Sequence, residues 1–256
     1  MESNFWEVED GFMISETQNE LPLTEHLREL RQRLIRSLVV VSILACVSYA
    51  FIEPIFKALS IPLLDVLPEG RSLIFTSYPE AFFTYLKLAI TTGIFLASPW
   101  ILFEIWAFIA PGLYAHEKRL LFPFIIFGSA FFVGGGLFGY FVVFPTAFKF
   151  LAGYESDMLT LYPSISEYFT LVVRLLLGFG LAFELPLILV FLGLLGIVNT
   201  TMLRRNRKYA LLGAFIIAAI FTPTPDVLNQ TLLAVPLLLL YEISIWALEI
   251  IQRLRS

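Results

Sequence analysis

Charged residues are scarce in this sequence. Of its 256 residues, 15% are Asp, Glu, Lys or Arg, whereas 58% are hydrophobic. A soluble globular domain has about 25% charged residues and about 45–50% apolar ones. The composition therefore predicts a membrane protein, and the even distribution of the apolar segments along the chain predicts a single membrane domain.

The residues that carry enzyme and metal chemistry are also few. The only cysteine, Cys46, excludes an internal disulfide, and its apolar surroundings favour a packing role. Neither histidine, His26 or His116, has a metal-ligating neighbour at a suitable spacing. No His-Glu-x-x-His, Gly-x-Ser-x-Gly or Walker sequence occurs. The sequence therefore predicts no enzyme active site, no metal site and no cofactor.

Six apolar segments predict an all-α, polytopic membrane fold with six transmembrane helices. A span needs about 20 apolar residues. The second, third and fourth segments exceed this length, so we expect them to tilt, or to kink at Pro99, Pro145 and Pro186. The fifth is short, and Glu242 shortens the apolar core of the sixth. The predicted spans are residues 34–52, 81–110, 120–151, 168–198, 209–221 and 232–251.

Lysine and arginine residues predict the orientation. Twelve of them flank one side of the membrane, whereas Lys57 and Arg71 flank the other. Because cytoplasmic segments are enriched in Lys and Arg, both termini are expected in the cytoplasm. We expect an acidic mobile tail at 1–21, the membrane domain at 22–256 and a long outer loop at 53–80. The twelve basic residues are Arg28, Arg31, Arg33, Arg36, Lys118, Arg119, Arg204, Arg205, Arg207, Lys208, Arg253 and Arg255.

An amphipathic helix is predicted immediately before the first span. Leu23, Leu27, Leu30 and Leu34 recur at helical spacing and share one face. A helix with one apolar face and several basic residues is typical of a segment that lies in the membrane interface. Residues 22–34 are therefore expected to lie along the cytoplasmic surface.

Two carboxylates are expected close to that surface. Glu29 lies in the amphipathic segment, and Glu117 lies in the loop after the second span. Together they can receive a cationic ligand, and arginine suits them best because its planar guanidinium pairs with carboxylates through two hydrogen bonds. In the alternative interpretations, Glu29 only pairs with Arg33 within a topological anchor, and Glu117 only offsets Lys118 and Arg119 in a solvated turn.

Glu184 is the only charged residue within 175–192. Near the middle of a bilayer such a group costs about 2.5–3.5 kcal/mol on insertion scales, so it normally faces protein or water and marks a functional site. Pro186 leaves a nearby carbonyl without its usual donor, and a polar contact surface inside the membrane is expected here. The alternative is a helix–helix hydrogen bond that serves packing alone.

Other notable residues lie inside the predicted spans. Lys87 and Arg174 are expected near the outer ends of their spans, where snorkelling of the long side chain to the surface explains them. Glu104 lies toward the inner end of the second span and is a candidate for burial. Gly135 and Gly139 have a spacing that permits close packing of helices.

Several motifs, in order, resemble the TatC family, the multi-span receptor subunit of the twin-arginine protein translocase. The resemblance extends from about residue 22 to the C-terminus. The motifs are TEHLRELRQRL at 24–34, SPW at 98–100, IWAFIAPGLYAHEKR at 105–119, FGYFVVFP at 138–145, FGLAFELP at 179–186, TPTPD at 222–226 and QTLLAVPLLLLYE at 230–242.

The resemblance implies a receptor for folded precursor proteins that carry twin-arginine signal peptides. Glu29 and Glu117 match the acidic residues that are expected to bind the paired arginines. Phe108 and Leu113 lie close to the same loop and are expected to shape the site. Export in this family is driven by the proton-motive force across the bacterial inner membrane, without nucleotide or another cofactor.

The resemblance also implies partners. Glu184 matches a polar residue that is linked to contact with the single-span subunits TatA and TatB, and Met202 with the helix after it is a second expected partner surface. Self-association and contact with the lipid bilayer are expected, without nucleic acid. Asp226 is a further candidate, although its motif carries an extra Thr within the family's Pro-Pro-Asp pattern. The implied shape is a concave wall of tilted helices beside a thinned membrane.

Two other functions remain as alternatives. A proton-coupled small-molecule transporter would use Glu184, Lys87 and Arg174 as a relay, although no internal repeat of the kind common in secondary transporters is evident. A structural scaffold would use its charges only to orient helices. Substrate flux in vesicles that contain this protein alone would favour the transporter, and normal export without the two cytoplasmic glutamates would favour the scaffold.

Overall fold

The architecture is a bundle of α-helices. The computed structural model describes residues 23–67, 72–109, 121–153, 162–221 and 227–255, so the predicted tail lies outside the described residues. Helices form most of this described part, whose one isolated β-bridge joins Ile74 to Ser164. The predicted all-α class is confirmed. The helices are α1 Leu23–Ala50, α2 Ile52–Leu64, α3 Glu80–Ile109, α4 Leu121–Phe138, α5 Phe144–Ala152, α6 Ile165–Phe183, α7 Leu185–Leu194, α8 Thr200–Arg205, α9 Arg207–Phe221 and α10 Val227–Arg255, with a π-helical segment at Gly139–Val143.

Five of the described helical runs are long and apolar enough to cross a membrane. The predicted fifth span corresponds to α9, whose 15 residues reach about 22 Å at 1.5 Å per residue, less than the hydrocarbon thickness of about 30 Å. Glu242 lies within the predicted sixth span, which corresponds to α10, a helix of 29 residues. The arrangement is consistent with six spans, of which one is short. The five long runs are Thr24–Ala50, Glu80–Ile109, Phe122–Ala152, Ile165–Leu194 and Gln230–Arg253.

The amphipathic helix predicted at 22–34 is present from Leu23, where the described residues begin, but it does not lie apart from the first span along the cytoplasmic surface, which corrects the prediction. It continues without a break into the first span as α1. No proline or glycine occurs between Leu23 and Ala50, so nothing in the sequence ends the helix where the amphipathic pattern gives way to an apolar one. The face that carries Leu27 and Leu34 is exposed along this single long helix.

The predicted outer loop at 53–80 contains a helix, which is a second correction. Residues 52–64 form α2, in which Pro54 lies in the first turn, where a missing N–H group is tolerated. The helix also contains Pro62, and it buries Ile52 and Leu63 in the hydrophobic core. Apolar burial therefore outweighs the helix-breaking tendency of the second proline.

Two of the three predicted kink sites interrupt a helix. The π-helical segment ends at Val143, two residues before Pro145, and a turn at Glu184 separates α6 from α7 two residues before Pro186. Both follow from the backbone donor that proline lacks. In contrast, α3 continues through Pro99. Glu184 consequently lies at a helix junction rather than inside a regular helix.

Glycine allows α4 and α6 to meet at close range. A Cβ atom on Gly135 would lie 2.3 Å from the carbonyl oxygen of Phe179, so the two backbones touch there. Gly139 packs against the side chain of the same residue. The close packing predicted from the spacing of these glycines is confirmed.

Candidate functional site

The bundle has two distinct ends. α1 and α3 pack with the start of α1 beside the end of α3, where Arg33 contacts Glu104. We call this the Glu29 end. The start of α3 and the start of α6 meet at the opposite end, where the hydroxyl of Ser164 donates a hydrogen bond to Glu80. We call that the Glu80 end.

A guanidinium bridges two carboxylates at the Glu29 end. Arg33 donates from Nε and Nη2 to Oε1 of Glu29, at 2.9 and 2.6 Å, and from Nη1 to Oε2 of Glu104 at 2.9 Å. The first contact is the pair predicted from their spacing of four residues along one helix, and it is confirmed. The second contact joins α1 to α3 and was not predicted, because no spacing rule relates residues on different helices.

The burial of the two carboxylates differs. Glu104 is 3% exposed, which confirms its predicted burial. A nitrogen of Arg36 also lies 4.0 Å from its Oε1. The side chain of Glu29 is 26% exposed. Both of its hydrogen bonds from Arg33 end on Oε1, and Oε2 accepts none from a described residue. Glu29 therefore retains an oxygen that a further cation can reach.

An aromatic pair lies beside this cluster. The ring of Phe108, near the end of α3, stacks on that of His26 with centroids 4.3 Å apart and planes 19° from parallel. His26 is three residues before Glu29 on α1, so Phe108 does lie at the predicted site. Leu113 and Glu117 fall outside the described residues, within the segment 110–120 that follows α3.

Glu184 lies at the junction of α6 and α7 and is 8% exposed. Its Oε2 is 3.2 Å from the position that a Cβ on Gly128 of α4 would occupy. Its Oε1 has no hydrogen-bond partner among the described residues. Buried polar atoms nearly always have a partner, so this oxygen is an unmet acceptor. The packing alternative requires a donor, and the described part of the chain supplies none.

Trp106 was not singled out from the sequence, yet its buried indole N–H is also without a described partner. Its ring packs on Phe124 and Phe191, with centroids 4.9 and 4.5 Å away. Phe124 is one helical turn from Gly128, which contacts Glu184. An unmet donor on α3 and an unmet acceptor at the junction of α6 and α7 therefore both lie against α4, a relation that becomes visible only in three dimensions.

Met202 lies on α8 with an exposed side chain. Its backbone N–H donates to Oδ1 of Asn199, the N-cap of α8, at 2.7 Å. The hydroxyl of Tyr241 on α10 donates to the carbonyl of the next residue, Leu203, at 2.8 Å. This bond fixes α8 on α10 and presents Met202 outward. Asp226 falls outside the described residues.

Lys87 and Arg174 lie in the half of the bundle nearer the Glu80 end, and both are exposed. Lys87 donates to the hydroxyl of Thr170 at 3.1 Å. Arg174 and Glu184 are ten residues apart, about 15 Å along a helix, and Glu184 faces α4 rather than Lys87. The described contacts do not bring the three residues of the transporter alternative together.

Glu80 was missed in the sequence, although Ser77-Tyr-Pro-Glu80 is a capping-box pattern. Its Oε2 accepts the N–H groups of Thr76 at 2.7 Å and Ser77 at 3.3 Å, and its Oε1 accepts the N–H of Ser166 at 2.9 Å and the hydroxyl of Ser164. This carboxylate therefore caps α3 and ties it to the start of α6.

Comparison with known proteins identifies relatives over most of the chain. The family model described as "TatC: Sec-independent protein translocase protein (TatC)" matches residues 25–236. The chain is 47% identical to the Sec-independent protein translocase protein TatC of Desulforapulum autotrophicum, over 91% of this chain and 86% of the relative. It is 42% identical to the protein of that name from Escherichia coli strain K12, over 88% of this chain and 87% of the relative.

Solved structures agree. A crystal structure described as that of the twin arginine translocase receptor TatC superposes with a TM-score of 0.77 at 41% identity, covering 88% of this chain and 98% of the other. A second crystal structure of the receptor, in the detergent DDM, gives a TM-score of 0.78 at 42% identity, covering 87% and 98%.

Proposed function

This chain belongs to the TatC family of Sec-independent protein translocase components, a non-enzymatic transport family, and we propose that it is the subunit that binds twin-arginine signal peptides of folded precursors. The observation that carries the proposal is the guanidinium of Arg33 on the carboxylate of Glu29. A site that already holds one arginine side chain has the charge and the geometry to hold another.

The two arginines of a signal peptide are assigned to Glu29 and Glu117. Glu29 offers the oxygen that Arg33 leaves unoccupied. Glu117 belongs to the connection between Ile109, the last residue of α3, and Leu121, the first residue of α4. α3 ends at the Glu29 end, which supports assigning Glu117 to the same site. Phe108, which stacks on His26, and Leu113 are assigned to this site as its apolar surface.

Single-span partners of the TatA type, and of the TatB type where present, are assigned to Glu184 and Met202. The unmet oxygen of Glu184 favours a polar partner group, because a buried acceptor without a donor is destabilising by about 1–3 kcal/mol. Met202 offers an exposed, adaptable apolar contact. Occupation of the peptide site then repositions the partner helices, and the short α9 favours local thinning of the bilayer. The energy source is the proton-motive force.

The membrane assigned to this protein is the bacterial inner membrane, with both termini in the cytoplasm. The basic residues Arg28, Arg31, Arg33 and Arg36 at the start of α1 support this orientation. It places the Glu29 end, and with it the peptide site, on the side where precursors are synthesised. Self-association of several copies within the assembled complex belongs to the same proposal.

Peptide binding to the purified, detergent-solubilised chain tests the proposal. A synthetic signal peptide with two arginines is expected to bind at least ten times more tightly than its twin-lysine form, because lysine cannot reproduce the paired hydrogen bonds of guanidinium. Glu29→Ala or Glu117→Ala should abolish the preference. Glu25→Ala is the matched control, since it removes an exposed carboxylate from the first turn of the same helix. Equal binding of both peptides to the wild-type chain would refute the assignment.

A further inference from the structure

Lys87 and Arg174 form a cationic pair for which the function proposed above has no role. The ammonium of Lys87 lies 3.1 Å from the hydroxyl of Thr170 on α6. Arg174 is one turn beyond Thr170 on the same face of that helix. Neither cation forms an ion pair with a described residue. Lys87 therefore reaches Thr170 from α3, Arg174 lies one turn away from Thr170 on α6, and neither cation has a paired counter-charge among the described residues.

The depth of the pair corresponds to a lipid headgroup. Lys87 is seven residues from the start of α3 and Arg174 nine from the start of α6, or about 10 and 13 Å along the helices. The runs Glu80–Ile109 and Ile165–Leu194 have 30 residues each, about 45 Å, against about 30 Å of hydrocarbon. If centred, each run extends about 7 Å beyond the hydrocarbon, so both cations reach the level of the phosphates.

A groove lies beside Lys87 at the starts of α3 and α6, and Arg174 is deeper on α6 than the residues that line it. Its volume is about 560 Å³, and Lys87 lines it together with the apolar side chains of Phe83, Leu86 and Ile90. These three are exposed on the same side of the helix. The other lining residues lie at the Glu80 end and are mostly polar, so the groove matches a lipid headgroup. Ile90, the deepest of the three apolar residues, marks where an acyl chain begins.

Two carboxylates also line the groove, and they differ in availability. Glu80 is saturated, since both of its oxygens accept hydrogen bonds from the chain. Glu167 is exposed and lies one turn nearer the Glu80 end than Thr170. From the membrane surface inward the available charges are therefore one negative and then two positive.

We propose that this groove binds one phospholipid with an amino headgroup, in the leaflet at the Glu80 end. The phosphate lies at the inner end of the groove, on Lys87 and Thr170, with Arg174 one turn deeper. The primary amine reaches Glu167, and one acyl chain runs inward past Ile90. The order of the charges carries this choice, because the amine of such a lipid lies outside its phosphate. A purely anionic headgroup would leave Glu167 opposite a negative charge or without a partner.

Lipid binding to the full chain in detergent, followed by native mass spectrometry, tests the proposal. Phosphatidylethanolamine is expected to bind more tightly than phosphatidylglycerol, and diacylglycerol, which lacks phosphate, should bind least. The variant Lys87→Gln/Arg174→Gln should bind phosphatidylethanolamine at least tenfold more weakly. The variant Lys57→Gln/Lys149→Gln should bind it as the wild type does, since it removes two exposed positive charges from the same half of the bundle, outside the groove.

Two further variants keep the test decisive. Glu167→Gln should reduce the affinity for phosphatidylethanolamine to that for phosphatidylglycerol. Lys87→Arg/Arg174→Lys retains both charges and should retain binding, which separates loss of charge from loss of folding. Equal affinity of the two double charge-removal variants, tight binding of diacylglycerol, or displacement of the lipid by inorganic phosphate alone would overturn the proposal. Displacement by a transmembrane peptide with a carboxyl group, dependent on Arg174, would instead assign the groove to a protein partner.

Discussion

Arg33→Gln is expected to destabilise the chain mainly through Glu104. That carboxylate is 3% exposed, its shorter ion pair is the 2.9 Å contact with Arg33, and Arg36 is 4.0 Å away. Removing one partner of a buried ion pair costs about 3–5 kcal/mol, because the remaining charge stays buried and unpaired. Arg33 is itself 20% exposed and Arg36 remains near, so we expect the lower end, about 3 kcal/mol.

The same substitution should be much less harmful once Glu104 is neutral. Glu104→Gln alone keeps Arg33 on Glu29 and weakens one charged hydrogen bond, a loss of about 1.5 kcal/mol. In the Glu104→Gln background, Arg33→Gln no longer leaves a buried charge unpaired, and we expect it to cost about 1 kcal/mol. The coupling between the two sites is then about 2 kcal/mol, within the range measured for residues in direct contact.

The measurement is the free energy of unfolding in mixed micelles of mild and denaturing detergent, for the wild type, both single variants and the double variant. Arg28→Gln is the control, because it removes an exposed arginine from the same helix without a described ion pair. If the two single losses add to the double loss within about 0.5 kcal/mol, the bridge from Arg33 to Glu104 contributes nothing and the reasoning is wrong.

Two other substitutions test the packing and the unmet acceptor. Gly135→Ala should destabilise the chain by about 1–3 kcal/mol, because its Cβ would lie 2.3 Å from the carbonyl oxygen of Phe179. Gly134→Ala, which has open space around it, should be neutral or stabilising by up to about 1 kcal/mol. Equal shifts in the thermal unfolding temperature of the two variants would contradict the close approach. Glu184→Leu should stabilise the isolated chain by about 1 kcal/mol, because it removes a buried oxygen that has no hydrogen-bond donor. The same variant should abolish crosslinking to single-span partners. A loss of stability would mean that a donor within the chain already bonds to Glu184.

Features that depend on local spacing could be predicted from the sequence. The apolar runs gave the all-α class, the i,i+4 spacing gave the pair of Glu29 and Arg33, and the isolation of Glu184 in an apolar run marked it as unusual. Features that depend on two distant segments could not be predicted. The bridge from Arg33 to Glu104 spans 71 positions, and no periodicity connects residues on different helices.

Two errors arose where the tertiary structure outweighed a local signal. The prolines in 53–80 indicated a loop, yet burial of Ile52 and Leu63 stabilises α2 around Pro62. The change from an amphipathic to an apolar pattern near Leu34 indicated a helix boundary, yet pattern alone does not end a helix when no breaker is present. The capping box at Glu80 was readable, but its contacts to Ser164 and Ser166 required knowledge of which helix packs beside it.

The contact of Arg33 with Glu29 explains why the proposed ligand needs two arginines. Oε2 of Glu29 accepts the first incoming guanidinium while Arg33 stays on Oε1, so this carboxylate then shares its negative charge between two cations. The first arginine therefore gains less than a full charge-assisted pair. The second arginine pairs with Glu117, and the two contacts reinforce each other because both arginines belong to one peptide. A single arginine is then expected to bind weakly, and loss of either carboxylate is expected to remove the preference for the paired motif.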